Sequence, residues 1–403
     1  MTMTANGIQG VCDTRFEAVR EEFERNFTER GEVGAALHIT LDGQPVVDLW
    51  GGVADQETGR PWDENTRAVV YSSTKGVTAI CAHVLVDRGE LDLDAPVKKY
   101  WPEFATNGKE DTTVAMMLSH QAGVPAFREP LQPLDMTDWE KMCTLLARQE
   151  PYWKPGTRNG YHMVSFGWVV GELVRRVSGM SLGTFLRREI ADPRNIDFHI
   201  GLPEELEPTV APIIAHVPGA EYESDFARAI IEEPTSVSAR SALDTIDAGL
   251  DFNVRENRAA EIGGGGGVGT ACGLAQLYTP LANGGGGLVS PDTVTRMSEI
   301  AAATASDETL RIGTRFALGF MKSIDNRANG QSGMSVLMGP SAFGHVGSGG
   351  SLGFADPTER IGFGYVMNRQ GAGVLMNDRG QSLVDRLYES LGYRTNAPGV
   401  WTR

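Results

Sequence analysis

The stretch Tyr71-Ser72-Ser73-Thr74-Lys75-Gly76 lies between a short apolar run and a helix-like pattern. Residues 68–71 resemble the end of a strand, and apolar residues recur after residue 76 at spacings of three and four. The pattern predicts a strand, a tight turn and a helix whose first turn carries Ser72 and Lys75. Residues three apart share one helix face, so the hydroxyl and the amine are spaced as a nucleophile and its base.

Ser72 and Lys75 form the only Ser-x-x-Lys pair in the chain. A chain with 21 serines and 7 lysines in 403 residues contains about 0.4 such pairs by chance. Taken alone, the pair is explained equally well by a serine that caps the helix and a lysine in solvent. The interpretation therefore depends on the rest of the chain.

The composition is that of a soluble globular protein, with 41% hydrophobic and 22% charged residues. A formal net charge of −16 argues against nucleic acid or an anionic membrane as a partner and favours a neutral or cationic small molecule. No apolar run approaches the roughly 20 residues of a membrane span, and residues 1–15 lack the pattern of a secretory signal. Four widely scattered cysteines indicate reduced thiols and a cytoplasmic location.

The order of the predicted elements is strands, then helices, then strands. Two strand-like runs, 33–41 and 45–50, flank Asp42-Gly43, which is a strong hairpin signal. Short strand-like runs return near the end of the chain, at 316–321, 342–346, 351–355 and 361–367. This order predicts an α+β fold in which both chain ends build one antiparallel sheet flanked by helices, with a mainly helical region inserted.

The same pattern divides the chain into two expected domains. Residues 1–75 and 230–403 are expected to form the domain that contains the sheet. Residues 76–229 are expected to form a mainly helical domain on the other side of an active-site cleft. Residues 203–260 are proline-rich, acidic and weakly periodic, and we interpret them as a cap or wall of the substrate site.

Two further motifs are typical of other chemistry, but the sequence around each of them does not fit that chemistry. Gly264-x-Gly266-x-x-Gly269 has the spacing of a dinucleotide fingerprint, but no buried strand precedes it and no βαβ unit surrounds it. Gly349-Gly350-Ser351-Leu352-Gly353 matches the nucleophile elbow of α/β-hydrolases, in which the catalytic histidine follows the serine. All seven histidines precede Ser351. The sequence thus implies no cofactor, shows no convincing metal-ligand spacing and favours Ser72 as the nucleophile.

Four segments, taken together, have the order and separation found in a known group of enzymes. They are residues 72–75, the segment Leu118-Ser119-His120-Gln121-Ala122-Gly123-Val124-Pro125, residues 155–161 and residues 344–350. The set resembles the serine β-lactamases and penicillin-binding-protein-like hydrolases, and more narrowly the family VIII carboxylesterases, over about residues 30–390. The resemblance implies a β-lactamase-like α/β sandwich without a cofactor.

The resemblance also implies roles for individual residues. Ser72 is expected to attack the acyl carbonyl. Lys75, with an amine of lowered pKa, is expected to hold the Ser72 hydroxyl in a hydrogen-bond network. Tyr161 is expected to share the role of base and later to activate the hydrolytic water. The backbone N–H groups of Ser72 and Ser348 are expected to form the oxyanion hole.

Substrate contacts are expected from His345, Gly347, Met163 and His162. Met163 stands where lactamases have the asparagine of Tyr-Ser-Asn, and His345 replaces the lysine that helps to bind a substrate carboxylate. His345 is therefore interpreted as a polar group near the leaving group or a carboxylate, and Gly347 suits close approach of the backbone. His162 is retained as a pocket residue, although an exposed position on a helix is the simpler interpretation.

The predicted function is a serine carboxylesterase that hydrolyses small, short-chain acyl esters through an acyl-enzyme. Met163 and His345 stand in place of the asparagine and the lysine that contact the substrate in lactamases, and an ester needs neither contact. The alternative is a β-lactamase, a D-aminopeptidase or another amide hydrolase with the same Ser-Lys-Tyr centre, and a third reading is a non-catalytic binding protein. His38 and His120 are interpreted as structural, and the oligomeric state is left open.

Overall fold

The computed structural model describes residues 7–217, 224–329 and 333–403. Its strands are β1 (Gln9–Cys12), β2 (Gly34–Leu41), β3 (Gln44–Asp55), β4 (Arg60–Pro61), β5 (Ala68–Val69), β6 (Phe198–Ile200), β7 (Gly267–Gly269), β8 (Ala302–Thr304), β9 (Thr314–Phe316), β10 (Phe343–Val346), β11 (Leu352–Asp356) and β12 (Ile361–Met367). Its α-helices are α1 (Glu17–Glu29), α2 (Ser73–Asp87), α3 (Val114–Leu118), α4 (Trp139–Arg148), α5 (Phe166–Ser178), α6 (Leu182–Phe185), α7 (Asp225–Glu232), α8 (Val237–Asp247), α9 (Arg255–Ala259), α10 (Ala271–Ala282), α11 (Pro291–Ser298) and α12 (Asp378–Ser390). Within these ranges, every helix is too short or too polar to cross a membrane.

The main sheet is antiparallel and has the strand order β1-β3-β2-β12-β11-β10, with β4 paired to β3. Strand β2, from the start of the chain, pairs directly with β12 from its end, and His38 lies opposite Gly364. Asp42 and Gly43 have φ values of 53° and 78°, as a type I′ hairpin turn between β2 and β3 requires. The prediction of an α+β fold with one sheet built from both chain ends is confirmed.

Apolar side chains form two cores on opposite faces of this sheet. Along β12, Phe363 and Tyr365 belong to the core that is shared with α1 and α12, whereas Val366 belongs to the core that contains α2, α5 and α10. This alternation is the period of two of a strand. A Cβ at Gly364 would lie 2.3 Å from the Ala271 carbonyl oxygen, so the glycine lets the start of α10 rest directly on the sheet.

One predicted strand is absent from the structure. Residues 316–321 do not form one strand, because β9 ends at Phe316 and the chain turns at Gly319, where φ is 94°. After Ser181 the chain forms the single α-helical turn α6, which continues as a π-helix to Ala191. The division into two domains stays a prediction, and its borders at 75/76 and 229/230 fall inside α2 and α7.

Candidate active site

Ser72 lies at a tight turn between β5 and α2. The preceding residue, Tyr71, has a φ of 44°, a left-handed conformation that is uncommon for a bulky residue. Thr74 fixes the turn, since its hydroxyl donates to the Tyr71 carbonyl at 2.5 Å and accepts from the Gly267 N–H at 2.8 Å. Ser72 occupies the N-cap position of α2, but its side chain makes no capping hydrogen bond. Its hydroxyl is therefore not used to cap the helix.

Two other serines fasten this turn to the main sheet. The hydroxyls of Ser73 and Ser351 lie 3.0 Å apart. Ser351 Oγ is also 2.6 Å from the Val70 carbonyl oxygen, and Ser73 Oγ is 3.1 Å from the His345 carbonyl oxygen. Ser351 is only 1% exposed and directly precedes β11, so the serine of the elbow-like motif links the start of this strand to the start of α2.

Lys75 is completely buried, and three oxygens surround its amine. Nζ lies 2.6 Å from the carbonyl oxygens of Met163 and Gly264 and 3.0 Å from Ser72 Oγ. Burial lowers the pKa of Lys75 well below its usual value. A neutral amine has two N–H bonds, which the two carbonyls accept, and its lone pair then faces the Ser72 hydroxyl. Lys75 is thus arranged as a base.

The glycine run at 263–267 supplies one of these carbonyls. It turns tightly before β7, which pairs with β5 beside the Ser72 turn. A Cβ at Gly264 would lie 2.3 Å from the Val164 carbonyl oxygen, so glycine is needed for the close approach. The motif that matched a dinucleotide fingerprint is therefore a tight loop that holds Lys75, a role that the sequence analysis missed.

Tyr161 completes the set of polar groups around Ser72. Lys75 Nζ lies 4.7 Å from the centre of its ring. Burial raises the pKa of Tyr161, hydrogen bonding with Ser72 opposes this, and the charge of Asp307 adds to it. The net pKa lies above the usual value, so Tyr161 is a neutral phenol suited to passing a proton on.

Asp307 is a further residue that the sequence analysis missed. Its fully buried carboxylate accepts the Tyr161 N–H at 2.9 and 3.1 Å. It also accepts the N–H groups of Thr309 and Leu310, each at 2.9 Å. Burial raises the pKa of Asp307 to about 6, although these hydrogen bonds lower it. Asp307 thus fixes the backbone from which the Tyr161 side chain extends.

Asp307→Asn is expected to lower kcat about 10- to 100-fold while KM changes less than about twofold. The amide keeps one acceptor oxygen but turns an N–H₂ group towards backbone donors, so Tyr161 shifts while the pocket remains. Ester hydrolysis per folded molecule measures the effect, with near-ultraviolet circular dichroism as the check on folding. An unchanged kcat in the folded fraction would leave Asp307 a purely structural role.

His120 and His162 hold the Tyr161 segment from the other side. His120 accepts the Gly160 N–H through its carbonyl at 3.1 Å and the His162 N–H through Nδ1 at 3.0 Å. His162 Nδ1 donates to the Gly160 carbonyl at 2.8 Å, and Nε2 accepts the Val124 N–H at 3.2 Å. His162 is fully buried, with both ring nitrogens occupied. The interpretation that it lies exposed on a helix is wrong, whereas its assignment as a pocket residue stays a prediction.

His345 lies on β10, with its ring centre 5.9 Å from that of Tyr161. Nδ1 donates to the Val346 carbonyl at 2.7 Å, so Nε2 carries a lone pair, and this buried atom has no partner among the described residues. Burial and the nearby Lys75 lower the pKa of His345 to about 3. A neutral ring of this kind accepts a hydrogen bond but does not attract a carboxylate as a lysine does. His345 was predicted to lie near the leaving group or near a substrate carboxylate. Only the leaving group is compatible with a neutral ring that accepts a hydrogen bond.

Gly347 and Ser348 follow β10 and lie beside the Ser72 turn. A Cβ at Gly347 would lie 2.2 Å from the Val70 carbonyl oxygen, so only glycine allows this approach. Within the described ranges, neither the Ser72 nor the Ser348 N–H donates to a backbone carbonyl. Both donors are thus left for a substrate oxygen, and the oxyanion hole stays a prediction.

Met163 contributes its backbone to the site and no polar side chain. Its carbonyl accepts from Lys75, as described above. Its half-buried thioether packs against both cores of the protein. No side-chain amide is therefore available at this position to bind a substrate amide.

Residues 20–386 match the family described as Beta-lactamase. The chain belongs to this family. A curated relative, Esterase/beta-lactamase LipL of Mycobacterium tuberculosis, is 35% identical over 364 residues, which are 89% of this chain and 82% of that protein. A solved family VIII carboxylesterase is 38% identical with a TM-score of 0.82, and covers 95% of this chain and 99% of its own. A solved penicillin-binding protein homologue from Caulobacter crescentus is 35% identical with a TM-score of 0.81, at the same coverage. The resemblance carried by the four sequence segments is confirmed.

Proposed function

We propose that this member of the beta-lactamase family is a serine carboxylesterase that hydrolyses small esters with short acyl chains. The observation that carries the proposal is the 3.0 Å contact between Ser72 Oγ and the buried amine of Lys75, whose pKa burial lowers. The names of two relatives, an esterase/beta-lactamase and a family VIII carboxylesterase, support the choice of substrate class.

The proposed reaction passes through an acyl-enzyme. Lys75 accepts the proton of Ser72 as Oγ attacks the ester carbonyl carbon, and the N–H groups of Ser72 and Ser348 stabilise the resulting oxyanion. Tyr161 passes a proton to the departing alcohol and takes its replacement from Lys75. In the second half, water loses a proton to the Tyr161–Lys75 pair and attacks the acyl carbonyl, and the bond to Ser72 Oγ breaks as the pair returns a proton to that oxygen.

The absence of two polar contacts favours esters over lactams and amides. Met163 offers no amide, and His345 is neutral and offers only a lone pair. An alkoxide is also a better leaving group than an amine, so hydrolysis of an ester places less demand on the proton donor. A β-lactamase, D-aminopeptidase or other amide hydrolase is the second candidate, and the double name of LipL supports it.

The compartment and the type of partner are part of the same proposal. All four cysteines are free thiols in this structure, which is typical of proteins in the reducing cytoplasm. The net charge of −16 disfavours nucleic acid and anionic membranes. We therefore propose a cytoplasmic enzyme that acts on a small-molecule ester.

Covalent labelling combined with a substrate panel tests the proposal. A fluorophosphonate is expected to add once to the wild type and not to Ser72→Ala, as measured by intact mass. Among p-nitrophenyl esters, the acetate and butyrate are expected to be hydrolysed faster than the laurate and far faster than a cephalosporin. Faster turnover of the cephalosporin would favour the amide-directed enzyme. A chain that is neither labelled nor active would be a binding protein.

A further inference from the structure

A tight, glycine-rich turn between β10 and β11 carries the N–H of Ser348, the second donor expected for the oxyanion. Two hydrogen bonds close this turn. The Gly347 N–H donates to the Ser351 carbonyl at 2.8 Å, and the Gly350 N–H donates to the Gly347 carbonyl at 3.0 Å. Gly350 has a φ of 124°, a conformation that glycine alone adopts readily. The turn therefore has a defined shape, and its anchorage decides where the Ser348 N–H points.

The carbonyl of Gly349 anchors the turn to the segment that follows β12. It accepts a hydrogen bond from Asn377 Nδ2 at 2.8 Å, from the Gly371 N–H at 2.8 Å and from the Arg379 guanidinium at 3.3 Å. The side chains of Asn377 and Arg379 belong to residues that are each only 5% exposed. Because a carbonyl oxygen has two lone pairs, three donors use its full capacity and fix the orientation of the peptide group.

These bonds continue as a chain through two peptide groups to the Ser348 N–H. The C=O and N–H of a trans peptide point in opposite directions. The donors that hold the Gly349 carbonyl therefore aim the N–H of the same peptide, which belongs to Gly350, at the Gly347 carbonyl. That carbonyl shares its peptide with the Ser348 N–H, which consequently points away from Gly350. Hydrogen bonds in such a chain also polarise one another, so the anchor strengthens the last donor as well as orienting it.

Asn377 has two tasks that one substitution can separate. Its Oδ1 accepts the Gly380 N–H at 3.2 Å as the cap of α12, whereas its Nδ2 holds the Gly349 carbonyl. A Cβ at Gly350 would lie 2.5 Å from this Nδ2, so the amide packs directly against the turn. Serine also caps helices well, but its side chain is too short to replace the amide. Asn377→Ser therefore keeps the cap and removes the anchor.

We propose that Asn377 is a positioning residue that orients the Ser348 N–H towards the substrate oxygen. It acts through the Gly349 carbonyl and the turn, and not on the reacting atoms. Arg379 and the Gly371 N–H assist it as donors to the same carbonyl. This role presupposes the proposed acyl-transfer function, in which the Ser348 N–H stabilises the oxyanion.

The kinetic test compares Asn377→Ser with the same change at Asn368. Asn368 is also buried, but its amide donates to the Val53 and Ala54 carbonyls at 2.9 and 3.0 Å, which lie outside the turn. In Asn377→Ser, kcat for p-nitrophenyl acetate is expected to fall about 10-fold while KM changes less than about twofold. The rate ratio between an ester and its thiono analogue should fall at least about threefold, because well-placed donors favour oxygen over the larger sulfur. Asn368→Ser should leave kcat per folded molecule and this ratio unchanged.

Amide hydrogen exchange, followed by mass spectrometry, tests the anchorage without any turnover. Peptides that cover residues 347–351 should exchange at least about fivefold faster in Asn377→Ser than in the wild type or in Asn368→Ser. An unchanged exchange rate, an unchanged kcat or an unchanged ester-to-thiono ratio in folded Asn377→Ser would overturn the proposal. If that protein does not fold, Asn377→Thr, which also keeps the cap, is measured under the same criteria.

Failure of the proposed function has a different signature, because it is visible in the wild type. A wild-type protein that hydrolyses no ester and is not labelled at Ser72 would end the catalytic role of Asn377 together with the proposed function. Faster exchange in Asn377→Ser would still show that this residue holds the turn. An active wild type with an unaffected Asn377→Ser protein would refute the positioning role alone.

Discussion

Ser72→Ala is expected to lower kcat for p-nitrophenyl acetate by at least about 10⁴-fold. The substitution removes the hydroxyl that lies 3.0 Å from Lys75 Nζ and leaves no nucleophile at the turn. Steady-state hydrolysis, measured with freshly purified protein at matched concentration, quantifies the loss. Oxyanion donors and substrate binding remain, so a small residual rate above that of water is expected.

Ser351→Ala is the matched control, because it makes the same change at the serine of the competing motif. Here kcat per folded molecule should stay within about tenfold of the wild type. Loss of the Ser351 contacts with Val70 and Ser73 should lower the free energy of unfolding by about 1–3 kcal/mol, measured by urea denaturation. The opposite pattern, with activity retained in Ser72→Ala and lost in folded Ser351→Ala, would move the nucleophile to residue 351.

Lys75→Met is expected to lower kcat by about 10³- to 10⁴-fold, because it keeps the volume of the side chain but removes the base. Lys75→Arg should be equally inactive, since a guanidinium does not accept a proton at neutral pH. Activity of the wild type should fall as the pH drops, because protonation of Lys75 converts its lone pair into a third N–H. Measurement of kcat from pH 4 to 9 shows this loss of activity at low pH.

Two comparisons make the Lys75 prediction specific. Lys322 is also buried, with a pKa that burial lowers to about 8, but its amine contacts the Ser341 carbonyl instead of Ser72. Lys322→Met should therefore leave kcat per folded molecule unchanged. Asp307 has a pKa of about 6 and also affects Tyr161, so its titration could contribute to the fall of kcat at low pH. The pH profile of kcat is therefore measured again in Asp307→Asn. Substantial activity in Lys75→Arg would contradict the role of Lys75 as base.

Local signals predicted the parts of the fold that local geometry controls. Asp42-Gly43 marked the hairpin because only a few residues adopt the positive φ values that it needs. The Ser72 helix was found from its apolar spacing, and it ends at Asp87, followed by the C-cap Arg88 and by Gly89 with a φ of 72°. Ser72, Lys75 and Tyr161 were found because they belong to recognisable motifs.

Groups that act through the tertiary structure could not be predicted in this way. Asp307 lies 146 residues from Tyr161 and belongs to no motif. Gly264 acts through its carbonyl, which every residue type has. His162 was misjudged because its burial depends on Gly160 and Val124, whose positions follow from packing and not from spacing.

The burial of Lys75 connects the active site to the thermodynamics of the whole chain. In the unfolded protein the amine has an ordinary pKa, whereas burial depresses its pKa in the folded protein. At a pH between these two pKa values, folding therefore releases one proton to the solvent. Because the unfolded state binds the additional proton, this residue makes stability rise with pH between its depressed folded pKa and about 10.5, by about 1.4 kcal/mol per pH unit. The chain gives up stability at neutral pH to hold a ready base.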